Sequence, residues 1–195
     1  MAYGLLLLRS APMVLSAAAV QFDYSQYLFL RPFLDLPADH QKDKAKPTKE
    51  ESNDEGRTLV NTLLGHFVHR QFPAGLAAIL VLYPLTWVVA GANLALGRAS
   101  ATAAGRTALI PAARYLYTAG LVFSIGHMVF GPRAKDLMET IGALGDKATV
   151  KRDDKEDNLT LLQQWLRLHL TRTFVADVPG WLCFTAAFLL SARLR

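Results

Sequence analysis

Apolar residues occur along this chain in long runs that are separated by charged stretches. Three runs carry no charged residue: the one between Arg70 and Arg98, the one between Arg114 and Arg133, and residues 178–192. The first run alone is long enough to cross about 30 Å of hydrocarbon as a helix, and the other two reach that length when flanking residues are included. The pattern therefore predicts helices that span a membrane.

A fourth apolar run opens the chain. We predict a helix over residues 3–30, with Arg9 near one end and Asp23 toward the other. Since these residues lie about 21 Å apart along a helix axis, each can reach its own membrane interface. The small residues of VLSAAAVQ also fit the cleavage site of a signal peptide, but no basic segment precedes GLLLL, which favours the membrane helix.

The remaining spans are predicted over residues 73–96, 107–131 and 173–192. Two amphipathic helices precede the second and fourth spans, because apolar residues recur at helical spacing in RTLVNTLLGHFVHRQF and in NLTLLQQWLRLHL. We refer to these two segments as the lead-in helices.

Residues 37–56 mix both signs of charge and contain almost no large apolar side chain. Such a segment buries too little surface to order itself, so we predict a disordered, flexible charged loop. The predicted fold class is therefore all-α. We expect a single integral membrane domain over residues 1–195, a bundle of four transmembrane helices with two amphipathic lead-in helices.

The composition supports this prediction and narrows the partners. Hydrophobic residues make up 52% of the chain and charged residues 19%, compared with about 25% charged residues in soluble domains. The net charge is +5, but the basic residues lie in loops between apolar segments, which favours anionic lipid headgroups over nucleic acid. We expect a lipid bilayer as partner, no nucleic acid, and an integral location in an endomembrane. The single cysteine, Cys183, excludes an internal disulfide.

Polar residues collect at one predicted end of the bundle. With four spans the two long loops lie on the same side, so the ends of spans one and three meet the starts of spans two and four. Ionisable groups in a membrane usually face the bundle, because exposure to hydrocarbon is costly. The residues expected to line a pocket with a polar mouth there are Asp23, His127, Trp165, His169, Arg172 and Asp177.

Helical spacing gives this pocket a geometry. On the third span Tyr117, Gly120, Ser124 and His127 fall on one stripe, and the small residues Gly120 and Ser124 favour close helix packing. On the fourth helix, Trp165, His169 and Arg172 share a similar stripe.

The charged residues of the pocket are expected to pair selectively. Arg172 and Asp177 are five residues apart, or about 140° around an α-helix, so we expect no direct pairing between them. We expect Arg172 to pair with Asp23 from the first span, since two unpaired charges near hydrocarbon would be costly.

Two segments resemble a known family. The first segment leads directly into the last apolar helix and contains Trp165, Leu168, His169 and Arg172. The second is FSIGHMVFGPRAKDLM, at the end of the third helix. Over about residues 73–192 the chain resembles the anthrone-oxygenase-like family, small fungal membrane proteins with four hydrophobic helices. That family usually has asparagine at the position of His169.

The resemblance implies an enzyme that oxidises a phenolic tricyclic anthrone to a quinone with dioxygen and no bound cofactor or metal. The partner would then be an apolar aromatic small molecule. A base removes a proton next to a carbonyl, and the protein stabilises the resulting anion. In this reaction His169 or His127 would be the base, and Arg172 would stabilise the oxyanion. Trp165 and Tyr117 would stack on the ring system of the substrate. Asp23 and Asp177 would line the substrate pocket.

Two other classes of protein fit the same residues. In the first, the polar cluster only fixes helix packing and the protein is a non-catalytic membrane or partner-binding protein. In the second, His66 or His69 converges with His127 and His169 to hold a metal or haem for redox chemistry.

The distribution of basic residues also predicts orientation. The long loops carry most of the lysine and arginine residues, which places them in the cytosol by the positive-inside rule. Asn158-Leu159-Thr160 is a glycosylation sequon, and a glycan on Asn158 would reverse this orientation.

Overall fold

The computed structural model describes residues 2–36, 49–102, 109–145 and 157–192. Within these ranges all regular structure is helical, which confirms the predicted fold class at that level. In chain order the elements are α1 (Ala2–Leu30) with a 3₁₀ turn (Arg31–Leu34), α2 (Lys49–Thr102), α3 (Pro111–Gly126) with a 3₁₀ turn (His127–Phe130), α4 (Gly131–Gly145), α5 (Asn158–Arg172), a π-helical turn (Thr173–Asp177) and α6 (Val178–Ala192).

Three helical segments are long and apolar enough to cross a membrane, by length and composition. They are Tyr3–Leu34, Gly56–Arg98 and Asn158–Ala192. The third predicted span corresponds to α3, which has 16 residues, or about 24 Å of helix against a hydrocarbon thickness of about 30 Å. Three spans are thus supported, and the fourth stays a prediction.

Helix α2 is longer than the sequence pattern indicated. The lead-in helix and the second predicted span form one continuous helix of 54 residues. Because α2 begins at Lys49, residues 49–56 are helical and the predicted disordered loop was wrong for that part. Lysine and glutamate, which are good helix formers, supply much of this first segment. The rest of the predicted loop, residues 37–48, lies outside the described residues.

The chain divides into two compact units. The first unit contains Met1–Asp23, Ala77–Phe130 and Thr171–Arg195, and the second contains Tyr24–Leu76 and Gly131–Leu170. The predicted single membrane domain over residues 1–195 stays a prediction.

The first unit has an apolar outer surface. Its core contains Tyr117 and Phe184, which are fully buried, between small residues of α2, α3 and α6. Large exposed apolar patches are unusual on soluble proteins, so this surface is consistent with contact with lipid. Exposed apolar side chains of this unit include Leu7, Val14, Leu80, Val81, Val88, Tyr115, Val122, Val129, Phe174 and Leu182.

Close packing in the first unit depends on Gly120. A Cβ atom at this position would lie 2.7 Å from Cε1 of Phe184, so only glycine fits without a shift of the aromatic ring. The predicted close approach at Gly120 is therefore confirmed. At Gly91 of α2, by contrast, no atom lies within 4 Å of such a Cβ.

The second unit has a core of its own, built from the end of α1 and from α2, α4 and α5. Gly142 of α4 approaches the backbone of His69 in α2, since a Cβ on Gly142 would lie 3.5 Å from the His69 Cα. The buried apolar side chains are Leu30, Val60, Leu64, Val68, Leu137, Met138, Ile141, Leu159, Leu161, Leu162, Trp165 and Leu166.

Asp157 fixes the start of α5 in the second unit. Its Oδ1 accepts a hydrogen bond from the Thr160 backbone N–H at 2.8 Å, as a helix-capping side chain does, and its Oδ2 accepts one from Arg57 of α2. Partial burial raises the pKa of Asp157, but the hydrogen bonds from Arg57 and Thr160 outweigh it and hold that pKa below its ordinary value.

The sequon asparagine is part of the same junction. Asn158 is 4% exposed, and its Nδ2, the atom that a glycan would occupy, donates a hydrogen bond to the Asn61 carbonyl at 2.8 Å. A glycan on Asn158 is incompatible with this contact. An unmodified Asn158 therefore carries no information about membrane orientation.

The glycine contact in the first unit gives a testable prediction. We expect Gly120→Ala to lower the free energy of unfolding by about 1–3 kcal/mol, because it overpacks the site against Phe184. Gly91→Ala, in open space on α2, is the matched control and should leave stability unchanged or raised. Thermal unfolding in detergent measures both. Equal midpoints for the two variants would contradict the packing described here.

The cap of α5 gives a second prediction. We expect Asp157→Ala to lower the free energy of unfolding by about 0.5–2 kcal/mol. Because the folded pKa of Asp157 lies below its ordinary value, its contribution is present above an ordinary pKa of about 3.9 and is lost as the pH falls through the folded pKa. Thermal unfolding between pH 7 and pH 3 tests this, with the exposed Asp136→Ala as control. A difference from wild type that persists at the lowest pH would contradict the assignment.

Candidate functional site

The first unit contains a group of buried polar side chains, which we call the polar cluster. It consists of Asp23 from α1, Tyr83 from α2, His127 from the 3₁₀ turn after α3, and Arg172 and Asp177 from the two ends of the π turn. Each residue is no more than 5% exposed. The cluster brings together four of the residues predicted from the sequence.

Asp177 lies at the centre of the cluster. Its Oδ1 accepts a hydrogen bond from the Tyr83 hydroxyl at 2.7 Å and lies 2.7 Å from Nδ1 of His127. The ring centroids of Tyr83 and His127 are 4.0 Å apart. A carboxylate that holds Nδ1 of an imidazole fixes the orientation of the ring and stabilises its protonated form. None of the described residues forms a hydrogen bond with the other ring nitrogen, Nε2.

Arg172 pairs with Asp23, as predicted. Its Nη2 lies 2.9 Å from Asp23 Oδ1, and both side chains are buried. Thr173 adds a longer contact of 3.4 Å to the other oxygen of Asp23. The ion pair joins α1 to the chain that enters α6.

The prediction that Arg172 and Asp177 do not pair was wrong. Arg172 Nε lies 3.7 Å from Asp177 Oδ2, within ion-pair distance. The reason is the π turn, in which the Val178 backbone N–H donates to the Thr173 carbonyl five residues earlier. Since this pattern places residues five apart almost above one another, it brings Asp177 to the face of Arg172.

The charges of the cluster require one further proton for balance. One guanidinium lies beside two carboxyl groups, and an uncompensated buried charge is strongly unfavourable. A proton on His127 or on one carboxyl group makes the cluster neutral. The cluster is therefore expected to hold a proton whose position depends on its surroundings.

Three predicted site residues have other surroundings. Tyr117 is in the first unit, where its hydroxyl donates to the Arg9 carbonyl at 2.8 Å and its ring packs against Phe184. Trp165 and His169 are in the second unit, stacked with ring centroids 4.5 Å apart, and Trp165 belongs to that unit's apolar core. The catalytic role of His169 and the stacking roles of Trp165 and Tyr117 stay predictions.

Tyr83 was not among the residues predicted from the sequence. The sequence does contain a signal for this residue. The longest uncharged run includes three side chains with a polar group at the end, Tyr83, Thr86 and Trp87. Polar groups in such runs usually face the bundle. Trp87 does so as well, since its Nε1 donates to Ser124 Oγ at 2.9 Å.

A small cavity adjoins the cluster within the first unit. Its polar lining comes from Ser16, Tyr83, Thr86, Ser124 and Asp177, and the remaining walls are small or aromatic side chains. The internal space is about 10 Å³, which is about what one water molecule needs.

The alternative of a metal or haem site requires several histidines to converge. No group of three or more histidine, cysteine, aspartate or glutamate side chains suited to a metal ion occurs in the described ranges. His66 and His69 are exposed side chains of the second unit. The histidine set proposed for this alternative is therefore not assembled in the part of the chain that the structure describes.

Comparison with known proteins relates the chain to fungal enzymes. It is 32% identical over 112 residues to Epoxidase pydX from an Acremonium species, which covers 57% of this chain and 59% of the relative. It is 31% identical over 112 residues to Probable epoxidase scpX of Mollisia scopiformis, with 57% and 60% covered. A third relative, Epoxidase gkaX of Penicillium citrinum, is 27% identical over 110 residues, with 56% and 58% covered.

The chain is similar to fungal epoxidases. This similarity confirms the resemblance to fungal anthrone-oxygenase-like proteins that the sequence indicated. The aligned region spans less than two thirds of the length of these relatives. No family model matches the chain, and no solved structure matches it.

The buried ion pair gives a third prediction. We expect Arg172→Leu to lower the free energy of unfolding by about 3–5 kcal/mol, because it leaves two buried carboxyl groups without their cation. Asp23→Leu should lower it by less, because Arg172 retains Asp177. The double variant should be more stable than Arg172→Leu alone, because it also removes the Asp23 carboxylate that lost its cation. Asp35→Ala, which breaks an exposed pair with Arg31, is the control and should cost about 0–1 kcal/mol. Additive losses in the double variant would show that the two charges do not stabilise one another.

Proposed function

We propose that this protein is a membrane oxidase that uses dioxygen to oxidise an apolar phenolic polyketide of the anthrone type, without a bound cofactor. The observation that carries the proposal is the contact of Asp177 with both His127 and Tyr83 at 2.7 Å. These groups are buried in a unit whose outer surface is apolar. A lipid-soluble aromatic substrate suits such surroundings.

The first step of the proposed reaction is proton removal. The substrate loses a proton from the methylene carbon that lies across the central ring from its carbonyl group and is conjugated with it, and the Asp177–His127 pair accepts this proton. If the cluster is neutral at rest, its net charge becomes +1 while the substrate carries a charge of −1. The opposite charges stabilise each other in a site shielded from water.

Arg172 has the second role in this proposal. Its guanidinium is held by Asp23 at 2.9 Å and lies 3.7 Å from Asp177. The positive charge is thereby fixed beside the proton acceptor rather than free to turn toward solvent. A preorganised cation lowers the energy of the developing oxyanion without reorganisation during the reaction.

The oxidation then balances without an external reductant. The substrate anion transfers electrons to dioxygen, and a carbon–oxygen bond forms to give a hydroperoxide that takes back the proton. Loss of water breaks the O–O bond and leaves a second carbonyl group. One oxygen atom enters the quinone and the other leaves as water, so the methylene carbon supplies all four electrons.

A second candidate function is favoured by the names of the relatives. Two of these relatives are named epoxidases and the third a probable epoxidase. An epoxidase adds one oxygen atom across a carbon–carbon double bond. With dioxygen as oxidant, the other oxygen atom must be reduced to water by two electrons and two protons from a further reductant. Both functions add oxygen to an apolar organic substrate, and the reductant requirement separates them.

The proposal gives a fourth prediction. In protein reconstituted into lipid nanodiscs, we expect anthrone-dependent oxygen uptake with formation of anthraquinone and no added reductant. His127→Gln and Asp177→Asn should each reduce the rate by about 10²-fold or more, the usual contribution of a positioned base. His66→Gln, which changes an exposed histidine of the second unit, is the matched control and should retain the wild-type rate.

Two outcomes would contradict the proposal. The first is a wild-type rate in both cluster variants, with folding checked by thermal unfolding. The second is the absence of quinone together with reductant-dependent epoxidation of an alkene-containing aromatic, which would support the second candidate function instead.

A further inference from the structure

We propose that the cavity beside the polar cluster is a binding site for dioxygen. Its walls come from α1, α2, α3, the π turn and α6, all within the first unit. The role of this dioxygen as the oxidant of an organic substrate rests on the proposed function, whereas the binding of a small apolar molecule rests on the cavity alone.

The first observation is the character of the cavity walls. The surface that faces the cavity is largely apolar. A buried water molecule typically makes about two to four hydrogen bonds, whereas cavities with apolar walls stay free of water and take up apolar guests. The walls therefore favour a neutral guest that has no proton to donate. The apolar residues of the lining are Ala19, Ala176, Gly180, Trp181 and Phe184.

The second observation concerns the hydroxyl groups of the lining, which have partners inside the protein. Ser16 and Thr86 donate hydrogen bonds to carbonyl groups of their own helices. Ser124 Oγ accepts a hydrogen bond from Trp87 Nε1 at 2.9 Å. None of these groups depends on a guest molecule for its only hydrogen bond.

The carboxyl group of Asp177, which also lines the cavity, has its polar partners within the cluster. Its Oδ1 contacts Tyr83 and His127, each at 2.7 Å. The same carboxyl group is hydrogen-bonded to Asp23 and lies 3.7 Å from Nε of Arg172. The one acidic side chain of the lining is thus already engaged, and the cavity does not require a polar or charged guest.

The third observation is the size and position of the cavity. A space of about 10 Å³ admits one molecule of about the size of water and no aromatic ring. Dioxygen is little larger than water, and it carries no charge. Because Tyr83 and Asp177 belong both to the cavity lining and to the polar cluster, a guest in the cavity lies beside the proposed proton acceptor.

Such a site brings the two reactants of the proposed reaction together. The ring system of the substrate is too large for the cavity, so the anion forms outside it while dioxygen is held within. Formation of the carbon–oxygen bond then joins two molecules that are already positioned, which lowers its entropic cost. Since an apolar gas dissolves more readily in hydrocarbon than in water, the lipid around the first unit supplies the dioxygen.

The test uses the paramagnetism of dioxygen, which speeds the NMR relaxation of nearby nuclei and falls steeply with distance. We expect pressurised dioxygen, compared with argon, to enhance the relaxation of the Ala19 and Ala176 methyl groups in detergent-solubilised protein. The enhancement should be several-fold larger than at Ala113 and Ala187, which are also buried in the first unit but do not line the cavity. Equal enhancement at all four methyl groups, as expected for a cavity that holds water, would overturn the proposal.

A pair of variants then locates the guest. Ala19 is a buried residue of the lining, so Ala19→Val should fill the cavity and lower the enhancement at Ala176 to the level of Ala113. Ala18→Val, at the exposed neighbouring position of α1, is the matched control and should retain the enhancement. An enhancement at Ala176 that survives Ala19→Val in folded protein would place the dioxygen elsewhere.

Turnover separates this inference from the proposed function. We expect Ala19→Val to raise the KM for dioxygen several-fold, while kcat at saturating dioxygen stays close to that of Ala18→Val. An unchanged KM for dioxygen would overturn the cavity as the site of the oxidant. A protein that shows the enhancement at Ala19 and Ala176 but oxidises no anthrone would contradict the proposed function alone.

Discussion

The ion pair between Arg172 and Asp23 is the interaction on which the polar interior of the first unit depends. A guanidinium in apolar surroundings is tolerable only beside a compensating charge, and Asp23 supplies one at 2.9 Å. With Arg172 fixed in this way, Asp177 lies within 3.7 Å of the same cation. The positions of His127 and Tyr83 follow, because both contact a single oxygen of Asp177.

The first unit combines this interior with a surface that suits lipid. Exposed leucine, valine and phenylalanine side chains surround a core in which polar groups contact one another or backbone carbonyls. Low dielectric surroundings strengthen each polar contact and raise the cost of any polar group left without a partner.

Several of these features followed from the sequence for identifiable reasons. The Arg172–Asp23 pair was predictable because two isolated charges in apolar runs must find each other. The role of Gly120 was predictable from the spacing of small residues. The contact between Arg172 and Asp177 was not predictable from the sequence. Helical periodicity assumes a regular α-helix, and no residue type in TFVAD indicates a π turn. The helical start of α2 was missed for a related reason, because its charged residues suggested disorder although lysine and glutamate form helices readily.

The π turn has a consequence for how such a cluster arises in evolution. A π turn contains one residue more than the corresponding α-helical turn, so it corresponds to the insertion of a single codon into a regular helix. In a regular α-helix, five residues would place Arg172 and Asp177 about 140° apart, whereas a pair four residues apart would share one face. A segment of the same length without the π turn would therefore keep both charged residues but separate them. In related proteins, the length of this short segment is therefore as informative as the identity of its charged residues.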